Sequence, residues 1–457
     1  MLSSAHRAAP LTVQLPDPGD LLALHRAHPA RYPFLLESAA SGTIQGRADL
    51  LLGFPREALV LARDGRLHGP GAGPDGDFLR ALDRWHAALG TTAGPMSSGP
   101  ESGGWFLFLG YELAAQVEPS LRLQQPRHLP IAFAVRCDVV IKRAHPGGEG
   151  LLSVPDRATQ AQVEADLERA RQMPPPQFHG LAAAPEEEGP GRFLAAVEKA
   201  REYIIRGDIF QANLSRGWRV PLQTPVDPGA LYARLRRSNP GSFAGLACWD
   251  GHAVISSSPE RLISIRDGWV ETRPIAGTRP RGLNAADDSA LERELIAHPK
   301  ERAEHVMLID LERNDLGRIC RPGTVEVNEM MVLESYAHVH HIVSNVRGRL
   351  EEGVGPGAAI RAVFPGGTIT GCPKVRCMEI IQELEAGPRG AYTGSMGWLG
   401  TDGSLDLNIL IRTMELGPDE LRFRAGAGIV YDSVPELELA ETRAKAKGLL
   451  LALEPST

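Results

Sequence analysis

Apolar residues recur along this chain with two different periods. GRFLAAVEKAREYIIRG (191–207) has them at helical spacing and stops at Gly207, which suits a left-handed C-cap. GSFAGLACW (241–249), HAVISSS (252–258), RLISIRD (261–267) and WVETRPI (269–275) alternate instead, as strands of an antiparallel meander do. DDSALERELIAH (287–298) and KERAEHVMLIDLERND (300–315) return to the helical period, divided at Pro299. The run 324–350 is strand-like, KVRCMEIIQELE (374–385) is helical, GSLDLNILIRTMEL (403–416) alternates, and PELELAETRAKAKGLLLAL (435–453) is a closing helix. Before residue 180, WFLFLGYEL and IAFAVRCDVVIK predict short strands among a few helices. Strand runs and helix runs that do not alternate one for one predict α+β with large antiparallel sheets, not a doubly wound parallel sheet.

Glycine and proline punctuate this pattern at TTAGPMSSGPESGG (91–104) and PPPQFHGLAAAPEEEGPG (174–191). The second stretch has a linker's composition, and its EEE reads as solvated. It separates an N-terminal region, 1–183, from a C-terminal domain, 190–455. At 457 residues the chain exceeds the roughly 250–300 at which a single core stops growing, so two domains or one interwoven body is expected. A net charge of -7 offers no basic field for nucleic acid or an anionic membrane. No stretch approaches the about 18 apolar residues of a membrane span, and the first residues lack a signal-peptide core, so a cytoplasmic protein is expected. Five scattered cysteines suggest reduced, buried thiols.

Two helices carry glutamate pairs three residues apart: Glu301 with Glu304, and Glu438 with Glu441. Each pair shares a helix face, and the four together would form a hard oxygen site suited to Mg²⁺. Taken singly, each is also what a solvated helix face looks like. Phe364-Pro365-Gly366-Gly367-Thr368 and Ala425-Gly426-Ala427-Gly428 read as glycine turns, either plain or aiming backbone N–H groups at an anion. Arg412, in an alternating run, needs an anionic partner if it faces inward. His338, His340 and His341 crowd together, but strand alternation puts 340 and 341 on opposite faces, which argues against zinc. One of them as a general acid or base, or as a packed core residue, remains open. Nucleophilic-serine, Walker and dinucleotide patterns are missing.

The order of several segments is far more specific than any one of them. Ser258-Pro259-Glu260-Arg261, TRPIAGTRP (272–280), DLERNDLGR (310–318), HHIVS, FPGGTITGCPKVRCMEI (364–380), IRT (411–413), AGAGIV and ETRAKAK together resemble the chorismate-utilising enzymes, densely over 190–455. LLES (35–38) and GYEL (110–113) extend the resemblance more loosely to the N-terminal region. It implies the anthranilate synthase component I-like fold: two large, mostly antiparallel sheets packed as a sandwich with helices outside. It also implies Mg²⁺ held by Glu304 and Glu441, with Glu301 and Glu438 alongside. Tyr392, Arg412 and the backbone of Gly426, Ala427 and Gly428 match positions holding a substrate carboxylate, with Thr368 and Lys445 lining the cavity. Glu260 matches the acid/base carboxylate and His341 the histidine near the ring. Where isochorismate- and salicylate-forming members resemble one another in a water-activating lysine, this chain has Gln211, a neutral amide that cannot serve as that base. Ammonia is then the expected nucleophile, supplied by a separate glutamine amidotransferase subunit because no cysteine sits in a glutaminase elbow. The wider texture is most similar to the folate-branch aminating members, which carry lysine where this chain has Ala276; that alanine matches the tryptophan-branch members instead. Glu37 and Ser38 resemble the family's tryptophan-binding motif. A non-enzymatic chorismate- or tryptophan-binding scaffold would be expected to lose an acidic metal residue or Arg412, and all are present.

Overall fold

The computed structural model describes residues 10–39, 48–89, 103–145, 148–181, 183–282, 284–335 and 339–454. One run of antiparallel pairing links strands from both ends of the chain. From Gln211–Pro221 it passes through Glu420–Ile429, Thr413–Leu416, His252–Ser258, Phe243–Trp249 and Phe34–Glu37 to Ala48–Leu61. There it crosses to Ala132–Ala144 and runs on through Gly104–Leu109, Ser395–Gly400, Leu405–Asn408, Arg261–Arg266 and Trp269–Thr272 to Val339–Arg349. Strands from before residue 183 therefore pair directly with strands from after residue 190, Leu35 opposite Leu246 and Leu107 opposite Gly397.

The sheet curls so that its two arms face each other across an aromatic core. Phe34 of one arm stacks on Phe106 of the other at 4.1 Å, and Trp249 on Phe133 at 4.4 Å. Helices cover the outer faces. Phe78–Ala88, capped by the Asp77 carboxylate, buries Phe78, Leu79, Ala81, Leu82 and Trp85 beside Pro356–Val363 on one side. Leu21–Ala27, Arg157–Arg171, Pro228–Ser238 and Pro435–Leu453 cover the other. The result is the expected α+β arrangement, two large antiparallel layers packed face to face with helices outside, the layers being joined into one continuous curled sheet. No helix among the described residues is long and apolar enough to cross a membrane.

Three local expectations are corrected. Ala425-Gly426-Ala427-Gly428 is no turn but lies inside the strand Glu420–Ile429, where Gly426 pairs with Ser215 and Gly428 with Asn213. The alternating run 403–416 is broken into Leu405–Asn408 and Thr413–Leu416, with Arg412 between them at φ +52°. The EEE stretch is not simply solvated: Glu186–Glu187 pairs at the sheet edge with Trp218 and Arg219, Glu187 binds Arg216 and Arg443, and the Gly217 N–H donates to Glu188 at 2.9 Å. Arginines on the adjoining strand and helix, far apart in sequence, supply the counter-charge.

Candidate active site

The strand Gln211–Pro221 begins QANLS, and its period of two puts Gln211, Asn213 and Ser215 on one face. All three are buried, an uneconomical use of polar residues unless they meet other polar groups. They do. The Gln211 Nε2 donates to Glu304 Oε1 at 2.8 Å, while Asn213 reaches the Tyr392 hydroxyl at 3.5 Å. Glu304 accepts only, so the amide must turn its NH₂ that way, leaving its Oε1 buried with no hydrogen-bond partner. The small residues of the neighbouring strand make room for this. A Cβ at Gly426 would lie 2.5 Å from the Tyr392 hydroxyl, and one at Gly428 2.5 Å from the Gln211 Nε2 and 3.6 Å from Glu304 Oε1.

Glu301 and Glu304 lie on one helix, Pro299–Gly317, one turn apart. Glu301 Oε1 receives Arg279 Nη1 at 2.6 Å, and its Oε2 is buried without a hydrogen-bond partner. The strand bulges at Gly277, φ +68°, a position that only glycine fits, since a side chain there would collide with that same Oε2 at 2.2 Å. Glu438 and Glu441 come from the closing helix. Lys445, one turn on, holds Glu441 at 2.7 Å and donates to the Gly426 carbonyl at 3.1 Å. One glutamate of each pair thus borders the same two paired strands, Glu304 through Gln211 and Gly428, Glu441 through Lys445 and Gly426.

Glu260 sits at the end of the strand His252–Ser258, 5% exposed, and accepts the Thr368 hydroxyl at 2.7 Å. Burial pushes its carboxyl up to about 7, against the pull of Thr368, the Ile275 N–H, Lys445 and Arg412. A carboxyl poised there both gives and takes a proton at neutral pH. His341, within 3.4 Å of the Gly277 carbonyl through Nδ1, is driven down to about 3 by burial and by Arg412, so its imidazole is neutral at pH 7. Ala276 is buried opposite Ile342 on the adjoining strand.

His340 faces away from His341. Its Nε2 lies 2.9 Å from Asp288, and its Nδ1 lies 2.7 Å from Ser335 and 3.5 Å from Glu292, on the opposite edge of the ring. His338 lies outside the described residues. Glu37 accepts from Tyr232 at 2.6 Å and from Arg236 at 3.0 Å, and the Ser38 N–H donates to Asp49 at 3.1 Å. Asn213, Arg279 and Glu312 were given no role from the sequence, although Arg279 and Glu312 lie in the motifs 272–280 and 310–318. Glu312 is buried against the Gly366-Gly367 turn with its carboxyl raised to about 7 by burial and by Asp315; the signal for Asn213 was the alternating polar residues of QANLS.

Comparison with known proteins gives this geometry a family. The model of the chorismate binding enzymes matches residues 33–451. Aminodeoxychorismate synthase component 1 of Bacillus subtilis is 41% identical, over 94% of this chain and 93% of its own. Anthranilate synthase component 1 of Cereibacter sphaeroides is 39% identical, over 98% and 94%. The crystal structure of anthranilate synthase component I from Streptococcus pneumoniae superposes with a TM-score of 0.78 at 32% identity, covering 89% of this chain and 93% of that one. A match that crosses from the N-terminal strands to the closing helix takes in the whole curled sheet and the carboxylates around it, and this chain belongs to the chorismate binding enzymes.

Proposed function

We propose that this chain is the synthase subunit that aminates chorismate at C4, giving 4-amino-4-deoxychorismate for p-aminobenzoate and folate synthesis in the cytoplasm, with ammonia supplied by a separate glutamine amidotransferase subunit. The C4 assignment leans on the likeness to aminodeoxychorismate synthase component 1, and the observation that carries the ammonia reading is Gln211. It stands bound to Glu304 with an unsatisfied acceptor oxygen, which suits an N–H of incoming ammonia and cannot deprotonate water. Chorismate is a dianion, and Arg412, Tyr392 and Lys445 supply donors for one carboxylate. Glu301, Glu304, Glu438 and Glu441 would hold Mg²⁺, and the orphaned Glu301 Oε2 fits an oxygen site awaiting a cation. When bound, the metal neutralises and orients the other carboxylate.

Glu260 then protonates the departing C4 hydroxyl from its carboxyl, and water leaves. The ammonia nitrogen forms the new C–N bond and returns a proton to the Glu260 carboxylate, which restores the starting state. Neutral His341 orients the ring without adding a charge.

Product analysis tests this. With purified protein, chorismate, Mg²⁺ and ammonium, we expect no anthranilate fluorescence, and p-aminobenzoate only once a 4-amino-4-deoxychorismate lyase is added. Gln211→Lys is expected to admit water and yield some hydroxylated product; isochorismate from the wild type at saturating ammonium would refute the ammonia assignment. A second reading, anthranilate synthesis, is favoured by Ala276, which offers no amine for attack on the ring. Strong anthranilate fluorescence, inhibited by tryptophan, would establish it.

A further inference from the structure

Behind the substrate-facing residues lies a cation that the acid/base and metal sets do not use. Arg389, 3% exposed, has all five of its N–H donors satisfied by four separate segments. Its Nε and one Nη2 hydrogen bind the two oxygens of Glu385, at 3.0 and 2.6 Å. The other Nη2 hydrogen goes to the Asn213 carbonyl at 2.7 Å. The Nη1 hydrogens reach the Ile369 carbonyl at 3.1 Å and the Thr393 hydroxyl at 3.2 Å. The guanidinium also lies over the rings of Tyr111, at 4.8 Å, and Tyr392, at 5.5 Å.

Three of the anchored segments adjoin candidate substrate contacts. Asn213 is two residues from Gln211 and touches the Tyr392 hydroxyl. Ile369 follows Thr368, which holds Glu260. Thr393 is held at φ +62°, and its N–H donates to the Leu410 carbonyl at 2.8 Å, two residues before Arg412. We propose that Arg389 is a positioning residue: one buried guanidinium, lying over the Tyr392 ring and holding the Thr393 hydroxyl that donates to the Tyr392 carbonyl at 2.5 Å, sets Tyr392 at the distance chorismate requires. Glu385 keeps that cation in place, since it is itself fixed by the Ser215 N–H at 2.7 Å and by Arg424 at 3.0 Å. Lysine would retain the charge, but its three donors radiate from one nitrogen and cannot span these acceptors.

The inference rests on chorismate as substrate, so the readout is chorismate consumption with ammonium and Mg²⁺, whatever the product. Arg389→Lys should remain folded, raise KM for chorismate about tenfold or more, and lower kcat less. In a Tyr392→Phe background the same substitution should change KM by only about twofold, because the group it positions is gone. Glu385→Gln, which weakens the hold on Arg389, is to be read in the same cycle and replaces Arg389→Lys should that variant not fold. Arg361→Met, which breaks a pair with Asp77 on the outer helices, should lower thermal stability and leave KM unchanged. Equal KM effects in both backgrounds, or a folded Arg389→Lys with wild-type KM, would overturn the positioning role while leaving the functional reading intact. A wild type that consumes no chorismate would overturn both.

Discussion

Glu260→Gln is expected to lower kcat by about 10³-fold, within the range for removing a group that acts as both acid and base, while the protein stays folded. The amide fills the same volume and still accepts from Thr368 Oγ1, so the 2.7 Å contact survives. Two pH signatures separate this from a packing defect. The wild-type limb near pH 7 in kcat/KM should vanish in the variant, because the carboxyl that titrates at about 7 is gone. Stability should diverge as well. The folded carboxyl titrates above its ordinary 4.5, so ionisation costs the native state more than the unfolded one. The protonated group's contribution is intact below about pH 4.5 and is lost as pH rises through about 7. A shift of that size is about 3 kcal/mol at pH 8, relative to pH 4, and the Gln variant should escape it. Buried Glu112 is raised in the same sense and cancels in a comparison of wild type with variant, whereas Glu312, raised by burial and in part by the Glu260 charge, is relieved in the variant. Wild-type kcat in a folded Glu260→Gln would remove Glu260 from the chemistry.

Much of this site was legible because its parts lie in motifs whose order is unusual, even where their local structure was misjudged. The helices bearing Glu301, Glu304, Glu438 and Glu441 follow from the 3.6-residue period and from prolines at their first turns. The glycines at 426 and 428 were misread as a turn because glycine most often marks one. Here they are needed for space, since Tyr392 and Gln211 arrive from other segments. Nothing local in AGAG announces those neighbours. Arg412 illustrates the same limit. Alternation continues across residues 403–416, yet a positive φ at 412 breaks the strand there, even though the Ser257 N–H still donates to the Arg412 carbonyl at 3.1 Å. Arg389 was invisible for a different reason: it follows Gly387 and Pro388 in a segment with no periodicity, and its five acceptors come from positions as far away as Asn213. The continuity of the sheet was likewise out of reach, because it depends on Leu35 meeting Leu246, a pairing across nearly half the chain that no local pattern encodes.

The other large effect concerns the four glutamates. Glu304 and Glu441 border one strand pair, with Glu301 and Glu438 one turn earlier on the same two helices, and the cations bound to them, Arg279 on Glu301 and Lys445 on Glu441, are single charges. A divalent ion would relieve that excess and occupy Glu301 Oε2, which has no hydrogen bond. Removal of the ion with EDTA should therefore abolish turnover reversibly, with Mg²⁺ but not K⁺ restoring it. Glu304→Gln should cost about 10³-fold or more in kcat/KM, because the amide oxygen can still accept from Gln211 but the neutral group cannot serve as an anionic ligand. Binding can be read without activity. At a hundred times Kd, an ion that binds only the folded state adds about 2.7 kcal/mol, so Mg²⁺ should raise the wild-type Tm and leave that of the Gln variant nearly unmoved. The variant is also expected to start from a Tm equal to or above that of metal-free wild type, since it has lost one of the four carboxylate charges. Full activity in EDTA, or an undiminished Mg²⁺ shift in Glu304→Gln, would show that these carboxylates hold no catalytic metal and that Arg279 and Lys445 are their permanent partners.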